Sequence, residues 1–526
     1  MILLLVVVLI GAALARRLVV PYPIVLVLVG LAIGAVPGLP TVRLEPDLVF
    51  LVFLPPILWA AAYFTSFRDF RFNLRPILLL AVGLVLATSS AVAAVAHALV
   101  PGLGWAPAIA LGAIVSPPDA VAATAVLGRL GVPRRVVTVL EGESLVNDAA
   151  ALVLYRVAVG AAVTGSFALQ DALIQFCVAT TLGIGIGLAV GTATRLALRA
   201  THDSFAEIAI TLLAPYVAWV LAERAHVSGV LACVAGGLLI RRHLSTLVSP
   251  STRLQARAVW DVLVFVLNGV IFILIGLQLG ALRAGLGAGG RISAWTVALA
   301  LFGTLVVVRA LWVPVFTWLP RALSAGLRVR DPMPPRPAIV LIAWVAMRGI
   351  VSLAAALALP LSTASGEPFP FRSELVLVTF AVVVLSLLVQ GLSIAPLVRW
   401  LPFETDNTHD REELQARAQT AVAALRRLEE LATEPWAQEI CVERLRGEYE
   451  ARLERITGLD FRSPHAPPTD EEAATQRLRH EVLTAERVAA IALRDQGVVS
   501  DEVLHHLESE LDLEAMRAGV GDWRAR

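Results

Sequence analysis

The chain is a succession of apolar runs, each close to the length that crosses a lipid bilayer. A helix needs roughly 20 apolar residues, with about 17–25 as the usual range, to span the hydrocarbon core. Such runs lie at 2–15, 18–36, 47–64, 76–100, 105–128, 136–162, 170–194, 204–222, 226–240, 260–282, 293–319, 337–361 and 373–399. The first and ninth are short, so twelve or thirteen spans are expected. Composition agrees: charged residues make up 16% and hydrophobic ones 57%, where a soluble globular chain carries about 25% charged. That balance excludes an ordinary cytosolic enzyme, a nucleic-acid binder, a disordered chain and a disulfide scaffold. Cys177, Cys233 and Cys441 are too few and too scattered for a metal cluster. No cofactor and no nucleic-acid partner is expected.

The charges divide the chain in two. It contains no lysine, and residues 1–403 hold 27 arginines against 15 acids, whereas 404–526 hold 16 against 27. An apolar, arginine-flanked membrane domain (1–403) joined to an acidic soluble tail (404–526) is the expected organisation. Arginine placement then tests the span count. With thirteen spans and the N-terminus outside, the cytoplasmic loops hold 18 arginines, among them Arg68, Arg75, Arg134, Arg135, Arg253 and Arg321. The opposite loops hold 5: Arg43, Arg224, Arg283, Arg291 and Arg372. This is the bias of the positive-inside rule, and it puts the tail in the cytoplasm. The first run has its arginines after it and no basic stretch before it, so it reads as a retained helix rather than a signal peptide.

The tail reads as helix over 408–458 with an interruption at Thr433-Glu434-Pro435, then a linker at 462–468. Thr469 to Glu472 fits a capping box, and Ser500 caps a last helix carrying His505 and His506. The histidine pair has the chemistry of a pH sensor; two solvated histidines on a helix face is the plainer reading.

Ionisable residues inside the apolar runs are expensive, at roughly 2.5–3.5 kcal/mol each on an insertion scale. They cluster in a few places. The fifth run reads Ser116-Pro117-Pro118-Asp119-Ala120-Val121. Two consecutive prolines remove two backbone donors and clash with the preceding turn, so the helix is expected to break beside Asp119. A broken helix in mid-membrane exposes carbonyls and helix ends that coordinate cations. The sixth run holds Glu141-Gly142-Glu143-Ser144-Leu145-Val146-Asn147-Asp148. Glu143 with Asn147, and Ser144 with Asp148, stand four apart and share faces. All offer oxygen ligands, which a hard alkali cation needs once it leaves water. A desolvated carboxylate also takes up a proton more readily, so one acid here suits either a proton or a metal ion. A kink with a tolerated Asp, or a structural hydrogen-bond network, is the bland alternative. Arg309 and Arg348 lie inside the eleventh and twelfth runs and need buried partners. Arg348-Gly349 marks a second weak point, seven runs after the first. Interrupted helices at matching places in two halves point to a transporter with inverted repeats.

Three stretches carry a family resemblance. Ser116 to Val121, Glu141 to Asp148, and Trp344-Val345-Ala346-Met347-Arg348-Gly349-Ile350-Val351-Ser352-Leu353 resemble the bacterial sodium/proton antiporters. These belong to the monovalent cation:proton antiporter family that includes the sodium/hydrogen exchangers. The likeness covers about 400 membrane residues. It extends to His226–Ala232, Phe265–Gly276 and, in the tail, Leu493–Gly497 and Leu511–Glu514. The resemblance implies a homodimer in the cell membrane, with two broken helices that cross and a core that moves against a dimerisation domain. It also implies a cation site in which Asp148 takes cation or proton, with Asp119 and Ser144 as further ligands. Asn147 orients that site, Glu143 pairs with Arg309, and Arg348 supports the crossover. Some relatives have Thr where this chain has Pro118, so only the Pro118 carbonyl is offered there. Na+ is the expected cation, then Li+, exchanged electroneutrally for H+ by alternating access. A K+/H+ antiporter is the alternative on the same scaffold; a cation channel and a membrane pH or ion sensor are the readings from other classes.

Overall fold

The structure, a computed structural model, describes residues 2–18, 20–36, 44–119, 127, 130, 132–166, 169–201, 203–284, 288–403, 408–457 and 470–517. Residues 120–126 and 128 of the fifth run, the linker at 462–468 and Thr469 lie outside the described residues. Among those described, the regular elements are helices, with one isolated bridge between Ser362 and Pro368. In chain order the first are α1 (Ile2–Leu18), α2 (Tyr22–Gly34), α3 (Pro46–Phe64), short α4 (Phe67–Phe72), α5 (Leu74–Leu99) and α6 (Trp105–Val115). There follow α7 (Arg134–Thr164), α8 (Leu169–Ala200), α9 (Ser204–Arg224), α10 (Gly229–Leu247), α11 (Pro250–Ala284) and α12 (Ala288–Leu323). After short α13 (Ala325–Arg330) come α14 (Arg336–Trp344), α15 (Ile350–Leu357) and α16 (Arg372–Trp400). Eight of these, α3, α5, α7, α8, α9, α11, α12 and α16, are long and apolar enough to cross a membrane; α1, α2 and α6 contain shorter apolar helices.

Several helices outrun the apolar stretch that predicts them. At 1.5 Å per residue, the 31 residues of α7 reach about 46 Å, well beyond a hydrocarbon core of roughly 30 Å. Its first turn, Arg134 and Arg135, therefore projects past the apolar layer. Likewise α11 begins at Pro250, ten residues before the expected run, on turns that carry Arg253 and Arg257. Both α3 and α5 contain a π-helical turn, at Val49–Phe53 and Leu79–Leu84. Local capping follows polar residues at the boundaries. Ser66, Asp203 and Ser228 accept from the backbone N–H three residues on, at 3.1, 2.8 and 3.3 Å.

Without a hydrophobic drive between helices in lipid, close backbone approach holds them together. Gly30 of α2 faces the Ile273 carbonyl of α11, and Gly276 of α11 faces the Val27 carbonyl of α2. A Cβ at either place would overlap backbone. A second apolar core joins α5, α6, α12, α15 and α16 through residues such as Val92, Leu111, Leu301, Ala355 and Val382.

The tail forms α17 (Thr408–Leu431), α18 (Glu439–Thr457), α19 (Asp470–Asp495) and α20 (Asp501–Arg517). The break between α17 and α18 falls at Thr433–Pro435, as expected. Ser500 caps α20 by accepting from the Val503 N–H at 3.3 Å. The helices share small apolar cores, such as Leu428, Leu445 and Leu478, and dock against one end of the membrane helices. Ser66 donates to Asp501 at 2.7 Å, Arg68 donates to the Val499 and Gly497 carbonyls, and Arg134 pairs with Glu502 at 2.7 Å. Arg253 grips Asp512 with two bonds, at 3.0 and 2.7 Å. Arg68, Arg134 and Arg253 come from three loops that arginine counting groups on one side, and here they share one face.

His505 is largely buried rather than solvated, near Glu508; burial, together with Arg241 and Arg257, holds its imidazole below the ordinary value despite Glu508. His506 is half exposed and lies 3.2 Å from Glu413. The Arg253–Asp512 pair is 5% and 2% exposed, and Arg487 also reaches Asp512 at 2.5 Å. Asp512→Asn leaves two guanidiniums facing a neutral amide, at an expected cost of about 3 kcal/mol. Limited proteolysis of the full-length protein should then cut the tail several-fold faster, whereas unchanged cleavage would show that this pair does not hold it.

Candidate functional site

Asp148, Asn147, Ser144 and Glu143 occupy two successive turns of α7, as their spacing requires. Across from them α6 ends at Val115, and residues 116–119 leave the helix where Pro117 and Pro118 forbid its continuation. A second interruption separates α14 from α15 at residues 345–349. The two extended stretches meet: the Asp119 N–H donates to the Met347 carbonyl at 2.6 Å.

Every residue predicted from the motifs falls at or beside this crossing. The Asn147 amide donates to the Pro118 carbonyl at 2.7 Å, tying α7 to the first break. Asp148 is 8% exposed, and it lines a cavity of about 300 Å3 with Asp119, Ser144 and Pro118. The cavity also reaches Thr65 at the end of α3, Glu141 and Asp261. Glu141 lies seven residues before Asp148, toward the Arg134 end of α7, so the cavity lining extends from the crossing toward the tail face. Four oxygen-bearing groups around one buried space can replace part of a cation's water shell.

Gly349 is required here by space rather than by backbone angle. A Cβ on it would overlap the Asp119 carboxylate. Gly349→Ala must displace Asp119 or part the breaks, and overpacking of this kind costs about 1–3 kcal/mol. Apparent cation affinity should fall about 10- to 100-fold, read from concentration dependence in vesicles, with folded yield by gel filtration unchanged. Wild-type affinity would mean that Asp119 does not set the site.

The two membrane arginines are held differently. Arg309 of α12 makes a two-bond pair with Glu143, at 2.5 and 2.7 Å, and its Nε donates to the Ile342 carbonyl at 2.9 Å. Glu143 is 1% exposed and Arg309 3%. Arg348 instead caps a helix end. Its Nε donates to the Val115 carbonyl at 2.9 Å, its Nη2 to that of Ser116 at 3.3 Å and its Nη1 to that of Ala346. These include carbonyls that the end of α6 leaves without helical partners, and the negative end of the helix dipole faces the cation. Arg156, about two turns beyond Asp148 on α7, pairs with Glu223 at 2.7 Å.

Motif reading missed several participants. Asn268 of α11 is buried on the cavity wall, and its amide nitrogen has no hydrogen-bond partner. Ser386 of α16 accepts from the Arg348 N–H at 3.0 Å, and Gln390 donates to the Trp344 carbonyl at 3.0 Å. Each is a neutral polar residue within an apolar run, outside the clusters of ionisable residues that drew attention to Asp119 and Asp148. The absence of charge made them easy to pass over.

Paired helix breaks and a buried carboxylate among oxygen ligands on one cavity define a membrane transporter for a small cation, not an enzyme. The chain belongs to the family described as sodium/hydrogen exchanger, transmembrane, whose model matches residues 3–400. It is a multi-pass membrane protein whose class of activity is monovalent cation/H+ antiport. It is 37% identical over 516 residues to a protein named as an uncharacterized Na(+)/H(+) exchanger of Mycobacterium tuberculosis, covering 97% of this chain and 94% of that one. A protein of the same description from Escherichia coli is 33% identical, with 94% of each chain covered. A Bacillus pumilus protein named sodium, potassium, lithium and rubidium/H(+) antiporter is 33% identical over 72% of this chain and 58% of its own. Among solved structures, the fold resembles a sodium proton antiporter of Methanocaldococcus jannaschii, with a TM-score of 0.61 at 19% identity, covering 76% of this chain and 96% of that one.

Proposed function

We propose that the protein exchanges Na+, with Li+ as a second substrate, for H+ one for one. Asp148 carries either the cation or the proton, and Asp119, Ser144 and the Pro118 carbonyl complete the cation's shell. The observation that carries this reading is the convergence of Asp148, Asp119 and Ser144 on one cavity at the crossing of two helix breaks. Asn147 and Arg348 hold the two breaks in register, and the Glu143–Arg309 pair anchors α7 to α12. The cavity lining extends from the crossing toward the tail face, through Glu141 and Asp261, and in this proposal the site loads from that face. Arginine bias in the loops makes that face cytoplasmic and puts the N-terminus outside the cell membrane. Thirteen spans with two inverted halves, a membrane domain over 1–403, a tail domain over 404–526 and a homodimer complete the proposal.

Electroneutrality follows from Asn147 standing beside Asp148. With one carboxylate exchanging one proton for one cation, no net charge moves. A moved charge would feel about 2.3 kcal/mol per 100 mV, whereas electroneutral exchange answers only to the gradients, and one pH unit supplies about 1.36 kcal/mol. The test uses purified protein in liposomes containing a pH dye, with voltage clamped by an ionophore. Addition of Na+ should collapse an imposed pH gradient at a rate independent of the clamp. The multi-cation relative favours a second reading, K+/H+ exchange at the same site. Collapse by K+ alone would select it, and no collapse by any cation would overturn both.

A further inference from the structure

A second cavity of about 300 Å3 lies apart from the ion site, between the ends of α5, α7, α12 and α14 that face the tail. Its walls are apolar, formed by residues such as Leu79, Val139, Trp312, Phe316 and Ile339. Trp312 and Phe316 stack at 3.9 Å between ring centroids, and the Trp312 indole donates to the Leu79 carbonyl at 3.1 Å. The aromatic wall is therefore fixed in place.

At the polar end, three guanidiniums surround one carboxylate. Arg321 donates to Asp331 at 2.5 Å and to the Asp331 backbone carbonyl at 3.0 Å. Arg135 bonds the other carboxylate oxygen and donates to Asn73 at 3.1 Å. Arg75 comes only to 3.8 Å and is 35% exposed. Burial alone would raise the Asp331 carboxyl, but the bonds from Arg135 and Arg321 outweigh it and hold it below the usual carboxylate range. It therefore counts as one negative charge against three positive ones. Trp318, Leu323, Val329 and Met333 nearby are exposed apolar side chains, as befits a surface in lipid.

A soluble phosphate gains nothing from an apolar, aromatic wall, and a zwitterionic lipid leaves the excess positive charge unmatched. Basic pockets between membrane helices suit anionic headgroups. We propose that this cavity binds an anionic phospholipid of the leaflet on the tail side. Its phosphate lies against Arg75 and Arg135, and an acyl chain lies along Trp312 and Phe316. The proposal rests on the chain's membrane location and not on the ion chemistry. Its position gives it reach: Asp331 stands five residues before α14, the first half of the second broken helix. Arg309, the partner of Glu143, is one turn from Trp312 on α12. A seated lipid braces α12 against α7 and α14.

Bromine on an acyl chain quenches tryptophan fluorescence on contact, so the test mixes full-length protein in micelles with dibrominated lipids. Phosphatidylglycerol should be preferred over phosphatidylcholine by about tenfold, and Arg75→Gln should cut that preference about fivefold, the effect of one arginine at a charged surface. Trp312→Phe should remove the excess quenching by phosphatidylglycerol and leave the remainder. Equal quenching by the two lipids, or an excess that survives Trp312→Phe, overturns the proposal. So does suppression of the excess by inorganic phosphate beyond that by chloride at matched ionic strength, which assigns the arginines to a soluble anion.

Discussion

Asp148→Asn is expected to abolish cation-driven proton movement while leaving a folded protein. Asparagine keeps the shape and one oxygen of the side chain, but it neither takes up a proton nor offers a negative charge to a cation. In the liposome assay the rate should drop to that of empty vesicles, a loss of both exchanged species at once. Stability should move the other way. A buried carboxylate without a bound cation is costly to keep charged, so thermal unfolding in detergent should occur at the same temperature or higher. Wild-type exchange by this variant would sink the assignment of Asp148. A variant that is inactive because it unfolds would show as a lowered midpoint, which separates loss of the site from loss of the fold.

Glu143→Leu is expected to be the most destabilising single change near the site. It leaves the Arg309 guanidinium, 3% exposed, with the Ile342 carbonyl as its remaining hydrogen-bond partner. Removing one member of a buried pair costs about 3–5 kcal/mol, whereas replacing both with apolar groups of similar volume is often close to neutral. Arg309→Met should therefore be nearly as harmful, and the Glu143→Leu, Arg309→Met double variant should recover most of the loss. Additive losses in the double variant, read from thermal midpoints, would mean that the two side chains act independently. Recovery of stability without recovery of exchange would show that the pair positions α7 for transport as well as holding it.

The membrane helices were legible because the property that makes them is local. Apolar length, arginine flanks and proline pairs act on each segment through its own exchange with water and lipid. Hence the breaks at Pro117-Pro118 and Arg348-Gly349 were visible, as were the acids of α7. The Glu143–Arg309 pair was visible only through family likeness, since nothing in the spacing of residues 166 positions apart brings them together. Ser386 and Gln390 give little sign in the sequence, and Asn268 is covered only as part of the matched stretch Phe265–Gly276, because a neutral polar residue costs little enough in an apolar run to carry a weak signal.

By itself, then, the sequence determined that the chain enters the membrane, where its helices break, and which acids are buried at a price that demands a use. Tertiary structure alone decided that Arg348 is held by the carbonyls ending α6 and that Asp512 docks on Arg253, 259 positions away. It also decided that Arg75, Arg135 and Arg321 meet at Asp331. Partition into lipid depends on composition over one helix length. Pairing depends on distances between helices, which are set by close-packed contacts such as Gly30 on Ile273 that no single segment encodes.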